Sequence, residues 1–189
     1  MLGMNELIER WQAGDERAAE AIYNQHRALA FRLAYGLLGD AAEAEEAAQD
    51  ALAYALAHIQ RYDPLRAGFS TWLHTITVSR CRDRQRRRQS PVAWVRPEAD
   101  LVDPAPTPEH HASRQEARSE VWQAVQALNP RLREAILLRY WAGHTYHEMA
   151  DILGCPVPTA QSRVRLAFER LRAALTPADL IALEEGEVS

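Results

Sequence analysis

The chain has 189 residues, 47% hydrophobic and 25% charged, an ordinary balance for a soluble globular protein with room for one or two small cores. No apolar run reaches membrane-spanning length and the opening MLGMNELIER lacks a signal-peptide core, so a cytoplasmic chain with no direct membrane insertion is expected. Two cysteines, Cys81 and Cys155, exclude a disulfide framework. The net charge of −4 hides a strong polarity: residues 1–89 are net zero, 90–113 net −3, 114–175 net +3, and 176–189 net −4. Local basic faces, and not the total, decide where a phosphate backbone can dock. All 22 cationic residues are Arg, whose planar fork suits phosphates and guanine edges, although a compositional bias explains the absence of Lys equally well.

In chain order, Asn5 to Ala13 predicts a short helix, and Gly14-Asp15 breaks it and caps the next. Glu16 to Leu38 predicts a long helix with Ile22, Tyr23, Leu29, Leu33 and Leu37 among its apolar residues. A third helix runs from Asp40 to about Gln60, and its first half carries Asp40, Glu43, Glu45, Glu46 and Asp50 with no cation among them. The helix dipole accounts for the first acids, but five without a partner exceed what it needs. A solvated face and a basic partner surface both remain open for them.

Arg61 to Pro64 breaks that helix, Leu65 to Phe69 forms a loop, and Ser70 or Thr71 starts a fourth helix. This helix ends in Arg80, Arg82, Arg84, Arg86, Arg87 and Arg88, interrupted by Cys81, Asp83 and Gln85. Approached through Tyr62, Phe69 and Trp72, the run combines an electrostatic track with stacking platforms, the logic of single-stranded DNA binding. Trp72 fits a core position at least as well. Ser90 to Ala112 then reads as a linker, with five prolines, Trp94 and His110-His111. Ser113 and Glu116 have capping-box spacing, and Asn129-Pro130 caps a further helix with Leu132, Ile136, Leu137 and Tyr140 apolar, closed by Gly143.

Thr145 to Leu175 holds the most specific local pattern. Thr145 and Glu148 form a capping box, Met149, Ile152 and Leu153 an apolar face, and Gly154 a C-cap. Pro158 suits the first turn of a second helix. Its stripe is Ala160, Val164, Ala167, Phe168 and Leu171, and its other face carries Gln161, Ser162, Arg163, Arg165, Arg170 and Arg172. This describes a helix-turn-helix that reads a DNA major groove, with a plain helical hairpin as the alternative.

Enzymatic chemistry is not expected. His147-Glu148 begins an H-E-x-x-H motif, but position 151 is Asp. His144, His147 and Cys155 lack a further well-placed metal ligand, and no phosphate loop or nucleophile–base pair stands out. No cofactor, metal or catalytic residue is expected.

Taken together, EAEEAAQDALAYAL, FSTWLHTITVSRCRDRQRRR and LNPRLREAILLRYWAGHTYHEMADILGCPVPTAQSRVRLAFERLR, in this order and spacing, resemble a bacterial extracytoplasmic-function sigma factor over nearly the whole chain. The resemblance implies an all-α fold of two small helical domains joined by a flexible linker. These are a region 2 domain (1–89), the linker (90–113), a region 4 helix-turn-helix domain (114–175) and an acidic tail (176–189). It implies a noncatalytic subunit that binds core RNA polymerase, directs it to promoter DNA and assists strand opening. An anti-sigma factor able to hold it at the membrane is implied as a further partner.

By the same resemblance, Glu45, Glu46, Gln49 and Asp50 would meet the polymerase. Arg61, Tyr62, Phe69, Trp72, Ser79, Arg80, Asp83, Arg84, Arg86, Arg87 and Arg88 would serve minus-ten DNA, with a flipped base held in the loop from Arg61 to Phe69. Thr159, Gln161, Ser162, Arg163 and Arg165 would face the minus-thirty-five groove. Two departures affect base preference: Ser79 stands where the family often has Asn, and Pro158-Thr159-Ala160-Gln161 where it usually has Gly-Thr-Val and a basic residue. Gln161 can pair bidentately with adenine. A helix-turn-helix regulator that replaces no polymerase subunit is the first rival, but it leaves the acidic helix and the aromatic-basic segment unexplained; a helical protein-interaction module whose arginines never touch DNA is the second.

Overall fold

The computed structural model describes residues 3–89, 112–176 and 180, except for the side chains of residue 89 and residues 112–119. The described residues are helical, with no strand among them. Helix α1 spans Met4–Gln12, α2 Glu16–Leu38 and α3 Ala41–Ala57, followed by a 3₁₀ turn at Ile59–Arg61 and by α4 at Phe69–Gln89. Helix α5 spans Ala112–Ala127 and α6 Pro130–Ile136, which runs into a π turn at Leu137–Trp141. Helices α7 (Tyr146–Leu153) and α8 (Val157–Arg172) complete the order.

The ends follow from the sequence. Asp15 accepts from Arg17 N and Asp40 from Glu43 N, each satisfying a first-turn donor that the helix itself leaves open. Gly39 and Gly154 close α2 and α7 at φ of 70° and 64°, a left-handed conformation that favours glycine. Asn129 caps α6 through Leu132 N, and Thr145 and Glu148 make the predicted box, with both reciprocal bonds present.

Three expectations shift. The third helix stops at Ala57 and not near Gln60, because the chain tightens into the 3₁₀ turn that delivers Tyr62. Helix α4 starts at Phe69, so Phe69 is its first residue and not a loop residue; burial beneath Tyr62 and Trp72 draws it into the helix. The helix before Gly143 ends in a π turn, where Ala142 N reaches back to Leu137 O. The proposed Ser113–Glu116 box involves side chains outside the described residues, as do Trp94 and His110-His111.

Among the described residues two cores are present, and α2 contributes to both. Leu7, Ile8, Ile22, Leu52, Ile59, Phe69 and Leu73 form the first, among α1, α2, α3 and the start of α4. Buried alanines of α3 (Ala44, Ala47, Ala48, Ala51 and Ala55) let it approach its neighbours closely. The second core is continuous from Leu33, Leu37, Val78 and Cys81 to Leu138, Met149, Ile152, Val164 and Leu171. Residues before and after the 90–113 segment therefore share one apolar interior. Leu138 is 0% exposed in it, so Leu138→Ala should cost about 2–5 kcal/mol of stability, read as a lowered midpoint in thermal unfolding.

Polar contacts reinforce this docking. At Gly36 the two parts approach closely: a Cβ there would lie 2.6 Å from Trp141 and 2.9 Å from Leu137. Tyr35 stacks on Trp122 at 4.7 Å between centroids, and Gln126 donates to Gly36 O. The Arg133 guanidinium donates to Leu37 O and Leu128 O at 3.0 Å each, and also to Gln126 O, so one cation closes the C-terminal ends of α2 and α5. Arg82 reaches buried Glu134 through two 2.7 Å bonds.

Candidate nucleic-acid interface

Helix α3 presents Glu45, Glu46, Gln49 and Asp50 on one exposed face, because its alanines take the buried one. These acids are not unpartnered, as the lack of cations in their own helix suggested. Arg84 of α4 binds Glu46 at 2.7 Å and Asp50 at 2.9 Å, while Arg88 binds Glu43 at 2.6 Å and lies 3.9 Å from Asp40. The cations come from a helix packed alongside but distant in sequence, which counting within one helix cannot find. Gln49 donates to Glu45. The carboxylate side chains of Glu46 and Asp50 nevertheless stay 52% and 58% exposed, so a basic partner can still reach them.

The same pairing redraws the arginine track. Arg82 is held by Glu134, Arg84 by Glu46 and Asp50, Arg86 by Asp83, and Arg88 by Glu43. Arg80 lies over the Tyr54 ring at 4.8 Å, a cation–π contact, and its Nε is buried without a hydrogen-bond partner. Arg87 alone of the six has neither an ion pair nor a ring contact among the described residues. Much of the run's charge is therefore paired within the fold, through contacts of which the exposed ones are each worth about 1 kcal/mol or less. Ser79 is exposed on the same helix.

Where the chain enters α4, Tyr62 and the first-turn residues Phe69 and Trp72 form a cluster with centroid separations of 5.5–5.8 Å. Phe69 is its buried floor, packed edge-on to His26, whereas Tyr62 and Trp72 are half-buried and Arg61 is exposed. Burial raises the Tyr62 hydroxyl pKa above its ordinary value, so it remains a neutral donor. Leu65, at the loop tip, is 96% exposed, a feature that no periodicity announces.

At the other end, α8 buries Ala160, Val164, Ala167 and Leu171 against α6 and α7. This rotation leaves Gln161, Ser162 and Arg165 exposed and Thr159 and Arg163 half-exposed. Arg165 lies 3.7 Å from Glu169, one turn on. Arg163 instead lines a groove of about 520 Å³ together with Arg82, Arg86, Arg131 and Glu134. The structure thus brings arginines of α4 and α8 to one cleft, which sequence spacing did not suggest. Among the described residues, no group of three metal-ligating side chains exists, and no helix is long and apolar enough to cross a membrane.

Comparisons with known proteins show the family. Residues 22–90 match the Sigma-70 region 2 family and residues 118–171 the Sigma-70 region 4 family. The chain is 31% identical over 181 residues to the RNA polymerase sigma-H factor of Pseudomonas aeruginosa, covering 91% of this chain and 93% of that one. It is 33% identical to the ECF RNA polymerase sigma factor SigM of Mycobacterium tuberculosis, covering 88% and 81%. Among solved structures, the sigma factor RpoE of Bartonella quintana, in complex with the anti-sigma factor NepR, superposes with a TM-score of 0.62 at 26% identity, covering 82% and 94%. With both regions matched in order and whole-length relatives of this kind, the chain belongs to the extracytoplasmic-function family of RNA polymerase sigma factors.

Proposed function

We propose that this chain is an alternative sigma subunit in which α3 engages core RNA polymerase, the Tyr62–α4 surface opens and holds minus-ten DNA, and α8 reads the minus-thirty-five element. The observation that carries the reading is the face of α8: an apolar stripe fixed in the core turns Gln161, Ser162 and Arg165 outward, the side a recognition helix offers to a major groove. Residues 1–89 and 114–175 act as separate units during initiation, joined by 90–113, with 176–189 as an acidic tail.

On the first unit, Glu45, Glu46, Gln49 and Asp50 meet a basic polymerase surface that displaces Arg84. The freed Arg84, with Arg80, Arg86, Arg87 and Arg88, then tracks phosphate, while Ser79 and Asp83 lie on the same helix. Tyr62 and Trp72, above buried Phe69, receive an unstacked base beside Arg61. Its role is noncatalytic and cytoplasmic, with an anti-sigma factor as the restraining partner. The complex of the Bartonella relative with NepR supports that partner.

Gln161 tests the base-reading part. Its amide donates to adenine N7 and accepts from adenine N6–H, a pairing worth about 1–3 kcal/mol against a wrong base. Gln161→Arg should move one minus-thirty-five position from adenine toward guanine and leave the minus-ten preference unchanged. Selection from a randomised promoter library, with each variant on the same core polymerase, reads this directly. Identical selected sequences would remove Gln161 from the base-reading set.

A further inference from the structure

Two imidazoles meet inside the contact between the halves of the chain. His74 projects from α4 and His144 from the segment ahead of α7; both are buried, with His74 Nδ1 2.6 Å from His144 Nε2. The rings stand at 88° to one another. His144 Nδ1 lies 3.7 Å from Glu148 Oε2, and His74 Nε2 is buried with no hydrogen-bond partner.

These positions dictate where protons can sit. Only one fits between the facing nitrogens. With both rings neutral, His74 donates from Nδ1, its Nε2 stays bare, and His144 keeps its own proton on Nδ1, directed at Glu148. An additional proton on His144 Nε2 would face the His74 Nδ1 proton. Placed on His74 Nε2, it would be a buried donor with no acceptor. The neutral pair is the one arrangement that this geometry satisfies.

We propose that His74 and His144 form a proton-sensitive latch, holding the two halves docked while both rings are neutral and releasing them when either ring gains a proton.

The surroundings act mostly in the same direction. Burial pushes His74 down to about 3, with the charges of His144 and His26 adding to it, and burial also lowers His144. From α2, the charge of His26 acts on His74, and Arg32 lines the same small cavity as His74. From the π turn, Arg139 donates to His144 O. Glu148 opposes these cationic groups and favours a charged His144. Its carboxylate is already engaged by Thr145 N, Thr145 Oγ1 and, across the contact, Thr71 Oγ1.

A lowered imidazole pKa fixes the sign. Above about pH 6.5 the rings are neutral whether the halves are docked or apart, and docking is at full strength. As pH falls below 6.5 the separated rings bind protons, while docked His74 does not until about 3. The docking constant therefore falls about tenfold between pH 7.5 and 5.5 from His74 alone, and His144 adds to this fall.

Its consequence for transcription rests on the sigma-factor reading. In the docked form Arg82, Arg86 and Arg163 line one groove. Elements centred about 25 base pairs apart lie about 85 Å apart, at about 3.4 Å per base pair. One groove cannot serve both, so reading a promoter requires undocking, and acid favours it. The latch itself is tested without polymerase or DNA.

Full-length chain carrying dyes at Glu20→Cys and Arg170→Cys, in a Cys155→Ser background, reports the open-to-closed ratio by single-molecule energy transfer. Between pH 7.5 and 5.5 the ratio should rise about tenfold or more while helical circular dichroism stays constant. In His74→Leu the dependence should shrink to less than half, whereas His144→Gln, whose glutamine oxygen still accepts from His74, should keep the roughly tenfold dependence that His74 supplies. A wild-type change below twofold, a parallel loss of helix signal through His26, an unaltered dependence in His74→Leu, or a flat profile in His144→Gln would overturn the latch.

Discussion

Glu46→Arg combined with Asp50→Arg should lower affinity for core RNA polymerase about a hundredfold, without loss of helical structure. Each change sets like charge against a basic partner surface, and a desolvated like-charge contact costs several kcal/mol, where about 1.4 kcal/mol is tenfold. The fold tolerates the exchange because both side chains are more than half exposed. What it loses is the pair of bonds from Arg84. Arg84→Gln is the discriminating companion: it breaks the same two ion pairs but leaves both carboxylates free. Polymerase titration should find its affinity equal to or above that of the unaltered chain. If Arg84→Gln weakens binding as much as the double exchange, α3 matters only through its packing on α4.

Gly36→Leu should separate the halves while leaving each folded. A Cβ at this position would lie 2.6 Å from Trp141 and 2.9 Å from Leu137, and a leucine adds three more carbons that must push these side chains aside. Overpacking of this kind costs about 1–3 kcal/mol, a 5- to 150-fold loss in docking. Within α2 alone the sign reverses, because replacing a mid-helix glycine by a good helix former gains just under about 1 kcal/mol. The expected result is a larger radius of gyration in small-angle scattering with an unchanged or higher helix signal. A compact variant would show that Trp141 and Leu137 can move aside.

The elements of this fold were legible where physical causes are local. The predicted bounds of α2 coincide with the observed helix because Asp15 and Gly39 act within one turn of its ends. The helix-turn-helix was readable for the same reason, from the Thr145–Glu148 box, Gly154 and the stripe of α8. What was not legible is long-range. Nothing near Glu46 reveals that Arg84 will lie beside it, so four acids that pair with Arg84 and Arg88 read as part of an unpartnered patch. Phe69 read as a loop aromatic because its burial depends on Tyr62, Trp72 and His26 converging from separate segments. The His74–His144 contact has no sequence signature, since the two residues are 70 apart and sit on different sides of the linker.

The central claim, that this chain gives RNA polymerase its promoter, is tested most directly by transcription. Core polymerase with and without the purified chain is run on fragmented genomic DNA, and transcript 5′ ends are sequenced. The account predicts a set of starts that require the chain and share two upstream elements, near minus ten and minus thirty-five. It predicts also that Gln161→Arg redraws only the upstream element. Starts that are identical with and without the chain, or chain-dependent starts sharing neither element, would contradict it.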